Sequence, residues 1–429
     1  MAFVSDPAAK EFADRGEVDR ELRRVFDVCH DCRRCYNLCP SFTTLLDGID
    51  DAMEGKDAAG EVSSLLPKET VETVVDQCFQ CKLCDPNCPY TPPHRWEIDF
   101  PRLMMRAKVA RVKEHGMPLA DRVLGNPELL GKVACRTSRL ANWMNRLPAF
   151  RAAMEKAIGV HRDRNLPSYA SETFETWFRR RGTQSAGENG KAALFFTCAV
   201  NYNETDRGKA TVQVLERNRV AVTCPSQQCC GMPALDGGDV EGARRRAEKN
   251  LRALGAAVEQ GYDVVVPNPT CSYTLKKEYP LLVPGELANK VAERTFDVCE
   301  YLMGLHREKK LDTTFTRGAG KVAYQVPCHL RIQNIGFKSR DLLKLLPDTE
   351  VVLIERCAGV DGTWGFKKRF FDLSLKVARG LFRELGDAEA TTIASDCSLA
   401  GLQVEHRMGA KPEHPVQILR RAYGLDPEP

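Results

Sequence analysis

Nowhere does this chain run to the roughly 18–20 consecutive apolar residues of a membrane-spanning helix; its apolar stretches, such as Ala192–Phe196 and Val264–Val266, are short. The opening MAFVSDPAAKEFADRGEVDR has no basic start followed by an apolar core, so no export signal is expected. Charge of one sign is not in excess. A formal net charge of +4 over 429 residues gives no concentrated basic face, which excludes a nucleic-acid partner. No Gly-x-Gly-x-x-Gly follows a strand and no Gly-x-x-x-x-Gly-Lys-Ser/Thr is present, so nucleotide cofactors would have to sit on another chain. What remains is a cytoplasmic, globular protein, long enough for two or three domains.

What the chain does have is cysteine, eighteen in all. Without export these thiols stay reduced, and clustered ones read as metal ligands. Two runs stand out: Cys29-x-x-Cys32-x-x-Cys35-x-x-x-Cys39-Pro40 and Cys78-x-x-Cys81-x-x-Cys84-x-x-x-Cys88-Pro89. Three thiolates spaced two apart wrap three irons of a cubane, and the fourth, followed by proline, reaches the neighbouring cluster. That rule assigns Cys29, Cys32, Cys35 and Cys88 to one 4Fe–4S cluster, and Cys39, Cys78, Cys81 and Cys84 to a second. Zinc also favours Cys-x-x-Cys pairs but closes with two of them, and the repeated four-cysteine run with proline is foreign to it. Helical periodicity over Val18–Val28 and Ile98–Val112 makes the module α-helical. The acidic stretch Asp47–Glu61 reads as a solvated loop. Arg33, Arg34 and Lys82, inside the binding loops, read as solvated charges.

From about residue 190 short β-rich runs alternate with helical patterns: Ala192–Thr197, Val220–Thr223, Asp263–Val266, Lys321–Val326, Glu350–Glu355 and Thr391–Ser395. Such alternation predicts parallel sheets with crossover helices, over Val240–Val258 and Phe370–Leu385 among others. Each run leads to a cysteine: Cys198, Cys224, Cys271, Cys328, Cys357 and Cys397, with Cys229-Cys230-Gly231 just beyond Cys224. Ligands gather beyond the carboxyl ends of parallel strands, where helix N-termini favour thiolates. The pairs Cys198/Cys328, Cys229/Cys357 and Cys271/Cys397 lie 130, 128 and 126 residues apart, so the half is a duplicated cysteine-presenting unit. Cys135, Cys224 and Cys299 fall outside that register; Cys299, in the helical stretch Phe296–Leu305, reads as core, and Cys224, though close enough to Cys229 to be a spare ligand, reads as core or loop. Between the halves, Ala141–Val160 places Trp143, Leu147, Phe150, Met154 and Ile158 at helical spacing with Arg146, Arg151 and Lys156 among them. Such a helix packs on a neighbouring domain or lies on an anionic membrane surface.

Further signatures are Asn201-Tyr202-Asn203, Thr270-Cys271, Glu278-Tyr279-Pro280, Pro327-Cys328-His329 and Gly362-Thr363-Trp364-Gly365-Phe366-Lys367-Lys368. With the cysteine runs, they resemble the family of iron–sulfur subunits of anaerobic glycerol-3-phosphate dehydrogenase (its C-subunit), glycolate oxidase and lactate oxidase, and the heterodisulfide-reductase-related CCG-domain proteins. The resemblance implies an α+β multi-domain fold: an α-helical two-cluster ferredoxin module (1–116), a helical linker (117–190) and two α/β CCG repeats (191–318 and 319–429). It further implies a third iron–sulfur cluster, cubane or noncubane, in the CCG half. Its ligands would be Cys198, Cys229, Cys230 and Cys271, although Thr274 stands where a fifth cysteine belongs. The second repeat keeps Cys328, Cys357 and Cys397 but has Ala358 and Ala400 in place of two others; Asp361 and His329 are the nearest substitutes.

The function so implied is electron transfer between a flavoprotein dehydrogenase, which alone would carry FAD, and quinone or another acceptor at the cytoplasmic membrane face. Two other readings stay open: disulfide reduction at an open cluster of the second repeat, and a scaffold whose second repeat has lost its metal.

Overall fold

The computed structural model describes residues 6–428 apart from 8 and 56–60. The N-terminal module is helical. Arg15–Cys32 starts where the Asp14 side chain accepts the Glu17 N–H, and its Val18, Leu22, Val25 and Phe26, at helical spacing, bury one face. It ends at Arg33, whose φ of 51° turns the chain out of the helix. Helices Pro40–Met53, Lys68–Gln77 and Phe100–His115 close a core of Leu45, Leu46, Ile49, Val74, Leu103 and Met104, against which the cysteines themselves pack. The acidic segment is therefore not a loop throughout: Asp47–Met53 continues the helix that begins at Pro40, because Leu45, Leu46 and Ile49 bury its inner face. Residues 56–60 of that segment lie outside those described. Phe100–His115 is a wedge, buried without a break from Phe100 to Ala107. Its Met104 packs in the module while Met105 joins the core of the first repeat.

The C-terminal half holds two all-parallel sheets. The first is built from β1 (Gly190–Leu194), β2 (Val220–Thr223), β3 (Asp263–Val266) and β4 (Thr295–Asp297), in the order β2-β1-β3-β4. The second contains β5 (Gly320–Gln325), β6 (Thr349–Ile354) and β7 (Thr392–Ser395), in the order β6-β5-β7. Thus β2, β1 and β3 correspond to β6, β5 and β7, and the place of β4 is taken by a single parallel bridge from Glu413 to Ala394 of β7. Apolar runs such as Asp-Val-Val-Val make strands here because helices cover both faces of a parallel sheet. β4 overlaps the start of the segment Phe296–Leu305 that reads as helix; its three residues pair with β3 (Val265 with Phe296) before Asp297 caps Val298–Arg307 with a complete capping box. His414 caps Pro415–Ala422 the same way at the matching place in the second repeat. One core spans both sheets, joining Leu194 and Val222 to Val322 and Tyr324. The duplicated halves are thereby fused, with their strand ends on a shared rim.

The expected helix over Ala141–Val160 is broken by Pro148 into Ser138–Met144 and Pro148–Ile158. Arg151 is buried and donates to the carbonyls of His161, Arg162 and Arg164, so it is a structural cation. Phe370–Leu385 likewise divides, into Phe371–Val377 and Arg379–Asp387. No helix among the described residues is long and apolar enough to cross a membrane.

Candidate metal centres

In the N-terminal module the two runs fold as a pair of loops. Arg33 and Lys82, each following the second cysteine of its run, both have positive φ (51° and 60°), a turn that brings the third cysteine back toward the first two. The result is two small cavities. One is lined by Cys29, Cys32, Cys35 and Cys88, the other by Cys39, Cys78, Cys81 and Cys84; each takes three sulfurs from one run and the fourth from the other. Burial pushes the Cys39 thiol up to about 12, and Cys81 and Cys84 higher than their ordinary value. Four thiols, buried or half-buried around a small void, ionise together only against cationic charge, so the donor set fits a metal cluster.

The first repeat delivers Cys198 after β1, Cys229-Cys230 after β2 and Cys271 after β3. Thr197, a β-branched residue at φ 62°, is strained; its hydroxyl accepts the Val200 N–H and opens the short helix that begins at Cys198. The Cys271 thiol donates to Cys230 Sγ at 3.4 Å, and Cys198, Cys229 and Cys230 exchange thiol hydrogen bonds along the same line. Asn250 and Tyr279 hold the loop: Asn250 donates to the carbonyls of Gln228 and Cys229, and Tyr279 to that of Cys230. Thr274 is no substitute ligand, because its hydroxyl is committed to the Thr270 carbonyl at 2.7 Å.

In the second repeat Cys328, Cys357 and Cys397 come together with Asp361 near enough to raise all three thiols further; the Cys357 thiol, mainly through burial, is pushed up to about 11. Asp361 is buried and its own carboxyl is driven well above the usual range, first by burial and then by Asp236. His329 does not join this group. Its Nε2 donates to the Gln80 carbonyl at 3.1 Å, so its Nδ1 accepts from the Thr270 hydroxyl at 2.9 Å, and the ring stacks on Tyr273. Both nitrogens are used in tying three parts of the chain together, and burial lowers the imidazole to about 4.

Residues 192–276 and 322–405 match the family described as cysteine-rich domain (CCG). Residues 21–115 match the citrate utilization protein B Fer4-like domain. The chain is 27% identical over 404 residues to the C-subunit of anaerobic glycerol-3-phosphate dehydrogenase from Escherichia coli, covering 92% of this chain and 98% of that one. It is 31% identical over 187 residues to lactate utilization protein A of Bacillus pumilus, covering 41% of this chain and 75% of the relative. This chain belongs to the same family as these proteins. A Fer4-like domain joined to two CCG domains marks it as an iron–sulfur protein.

Across the two CCG domains and the Fer4-like module the structure adds residues that the sequence patterns did not expose. Lys82 is not a solvated charge but 6% exposed; its ammonium lies 3.2 Å from Glu278, which is wholly buried and also faces Arg102 at 2.9 Å. Tyr273 donates to the same carboxylate. Arg33, by contrast, is exposed and pairs with Asp50. Cys135, Cys224 and Cys299 stay outside the sulfur groups: Cys135 donates to the Tyr202 carbonyl, and the other two pack in the shared core. Lys82 and Glu278 are far apart in sequence, and only the fold reveals them as a pair.

Proposed function

We propose that this chain is the electron-transfer subunit of an oxidoreductase, working beside a flavoprotein dehydrogenase. Two 4Fe–4S clusters are held by Cys29, Cys32, Cys35 and Cys88 and by Cys39, Cys78, Cys81 and Cys84, and a third iron–sulfur cluster by Cys198, Cys229, Cys230 and Cys271. Such clusters supply reversible one-electron carriage at potentials set by their surroundings. The working division is 1–116 for the first pair, 117–190 for docking, and 191–318 and 319–429 for the CCG units.

One observation carries the reading: the sulfur groups are contiguous. Cys39 and Cys81 of the module and Cys357 of the second repeat pack on one cluster of Phe79, Trp364 and Phe370, and next to Cys271 and Cys397 the Asn268 amide donates to the Ser398 hydroxyl at 3.2 Å across the two repeats. The second CCG group therefore stands between the Cys39/Cys78/Cys81/Cys84 cavity and the first CCG group. The residues around them bind, space and desolvate these centres. The dehydrogenase substrate, a glycerol phosphate or a 2-hydroxy acid in keeping with the relatives' names, would be oxidised on the partner. Coulometric titration of the anaerobic chain tests this: two or more electrons taken up reversibly per chain fit a relay, and fewer than one refutes it.

The docking segment favours an anionic membrane surface. Leu129 and Val133 on helix Pro127–Arg136, and Leu140 and Trp143 on Ser138–Met144, are each more than half exposed. Around them Lys132, Arg136, Arg139 and Arg146 are exposed as well. Apolar side chains among cations suit the headgroup region of an anionic bilayer.

A second reading, reduction of a disulfide at the second CCG site, rests on its three thiols plus Asp361 where five cysteines would close it. Disulfide turnover lost in Cys357→Ser and Cys397→Ser would favour it; turnover unaffected by either substitution would rule it out.

A further inference from the structure

The first CCG group is held from outside its own repeat. Glu128 stands in the first turn of Pro127–Arg136, on the docking segment, and a glutamate there ordinarily serves the N-terminus of its own helix. This one reaches across instead: its Oε2 accepts the Cys229 N–H at 3.0 Å, and its Oε1 accepts from the Lys132 ammonium at 2.5 Å. The Glu128 side chain is 15% exposed and that of Lys132 58%, so water screens the cation more than the anion.

The inner face of the helix fixes it there. Gly131 lies so close to Tyr202, on the short helix that Cys198 opens, that a Cβ would stand 2.3 Å from the ring. Four residues on, the Cys135 thiol donates to the Tyr202 carbonyl at 3.5 Å. Ahead of the helix, Asn126 accepts from Arg246 at 2.6 Å. Leu129 and Val133, on the outer face, are more than half exposed, so it is the face of Glu128, Gly131 and Cys135 that seats the helix.

The amide nitrogen and the sulfur of one cysteine are three bonds apart, which puts the carboxylate no more than about 7 Å from Cys229 Sγ. In the N-terminal module the side chains that serve the sulfurs are neutral: Gln80 donates to Cys78 Sγ and Asn87 to Cys35 Sγ, both at 3.4 Å. Such donors favour the added negative charge of a reduced cluster, and an anion opposes it.

We infer that Glu128 is a positioning residue of the first CCG centre: its carboxylate fixes the Cys229 amide and lowers the potential at which that centre gains an electron. The assignment rests on the third-cluster reading. No bond forms or breaks in the step; the electron comes from the neighbouring centres, or from dithionite in a titration. At that range one charge, partly offset by Lys132, changes the ratio of reduced to oxidised centre about tenfold, which is about 59 mV for one electron.

The test is a dithionite titration of the full-length, iron-loaded chain followed by electron paramagnetic resonance. The signal altered by Cys229→Ser is that of the first CCG centre. Glu128→Gln, whose amide oxygen still accepts the Cys229 N–H, should raise the midpoint of that signal by about 59 mV and leave the two module centres unmoved. Hydrogen exchange at the Cys229 amide should stay slow in Glu128→Gln and speed up in Glu128→Ala. Iron content equal to the unsubstituted chain shows that the variants have folded. An unmoved midpoint in Glu128→Gln, or a shift shared equally by every centre, overturns the inference while leaving the relay intact. If Cys229→Ser alters neither iron content nor any signal, the third cluster itself is absent, and the inference falls with that reading.

Discussion

Replacing Glu278 by glutamine tests the joint between the Fer4-like module and the first CCG domain. The carboxylate is wholly buried, on the turn Thr274–Glu278, and it compensates two buried cations, Lys82 and Arg102. Burial alone would raise its pKa; Arg102 and Lys82 outweigh that and hold it at about 2. Moving a carboxyl from 4.5 to about 2 corresponds to about 3 kcal/mol of preference for the charged form in the folded protein. The sign follows from a depressed value: the contribution is complete above the unfolded pKa and is lost as pH falls from about 4.5 toward 2. At pH 7 it is fully present. Glutamine keeps the shape and leaves two cations buried without a counter-charge, a change that costs about 3–5 kcal/mol. The assay is anaerobic denaturant unfolding of the iron-loaded chain at pH 7, following the first transition, together with hydrogen exchange over 274–278. Glu278→Gln should shift that midpoint to lower denaturant and open the joint, and adding Lys82→Met should recover part of the loss, because one stranded cation is gone. An unchanged midpoint, or strict additivity of the two substitutions, would refute the argument.

Other outcomes follow from single sites. Burial raises the Asp236 carboxyl to about 6 against the opposing pull of Lys82 and Lys108. A raised carboxyl contributes stability below its unfolded value and loses it as pH climbs from about 4 to about 6, so Asp236→Asn should stabilise the chain more at pH 7.5 than at pH 5, measured by thermal midpoints. Gly359 has φ 63° and a Cβ there would lie 2.2 Å from the Ser374 carbonyl oxygen. Gly359→Val should therefore cost more than the roughly 1–2 kcal/mol of a left-handed residue, seen as a lowered unfolding midpoint. Trp143→Asp with Leu140→Asp removes two exposed apolar anchors, and binding to vesicles containing anionic lipid should drop at least about tenfold in a sedimentation assay. Binding that survives both substitutions would show that this face does not meet the bilayer.

The strands were legible because parallel, two-sided burial leaves unbroken apolar runs: Val220–Thr223 and Asp263–Val266 have the same limits in sequence and structure. β4 was not, since Thr-Phe-Asp is too short to show a period and merges into an amphipathic helix. The cysteine groups announce themselves by spacing and by repeat register. Pro148 was visible in the sequence, yet the apolar stripe across it obscured the break. Lys82, Glu278, His329 and Asp236 owe their roles to neighbours brought from other domains. A lysine inside a loop gives no local sign that it will be buried against a glutamate of the first CCG repeat.

The central claim is that the two N-terminal runs exchange their fourth cysteines around two iron–sulfur cubes. Iron and sulfide analysis with electron paramagnetic resonance, on the anaerobically purified chain and on Cys88→Ser, addresses it directly. Two or three four-iron clusters give about eight to twelve irons per chain, and Cys88→Ser should perturb only the centre served by Cys29, Cys32 and Cys35. Zinc in place of iron, fewer than four irons, or a Cys88→Ser lesion in the Cys78, Cys81 and Cys84 centre would contradict it.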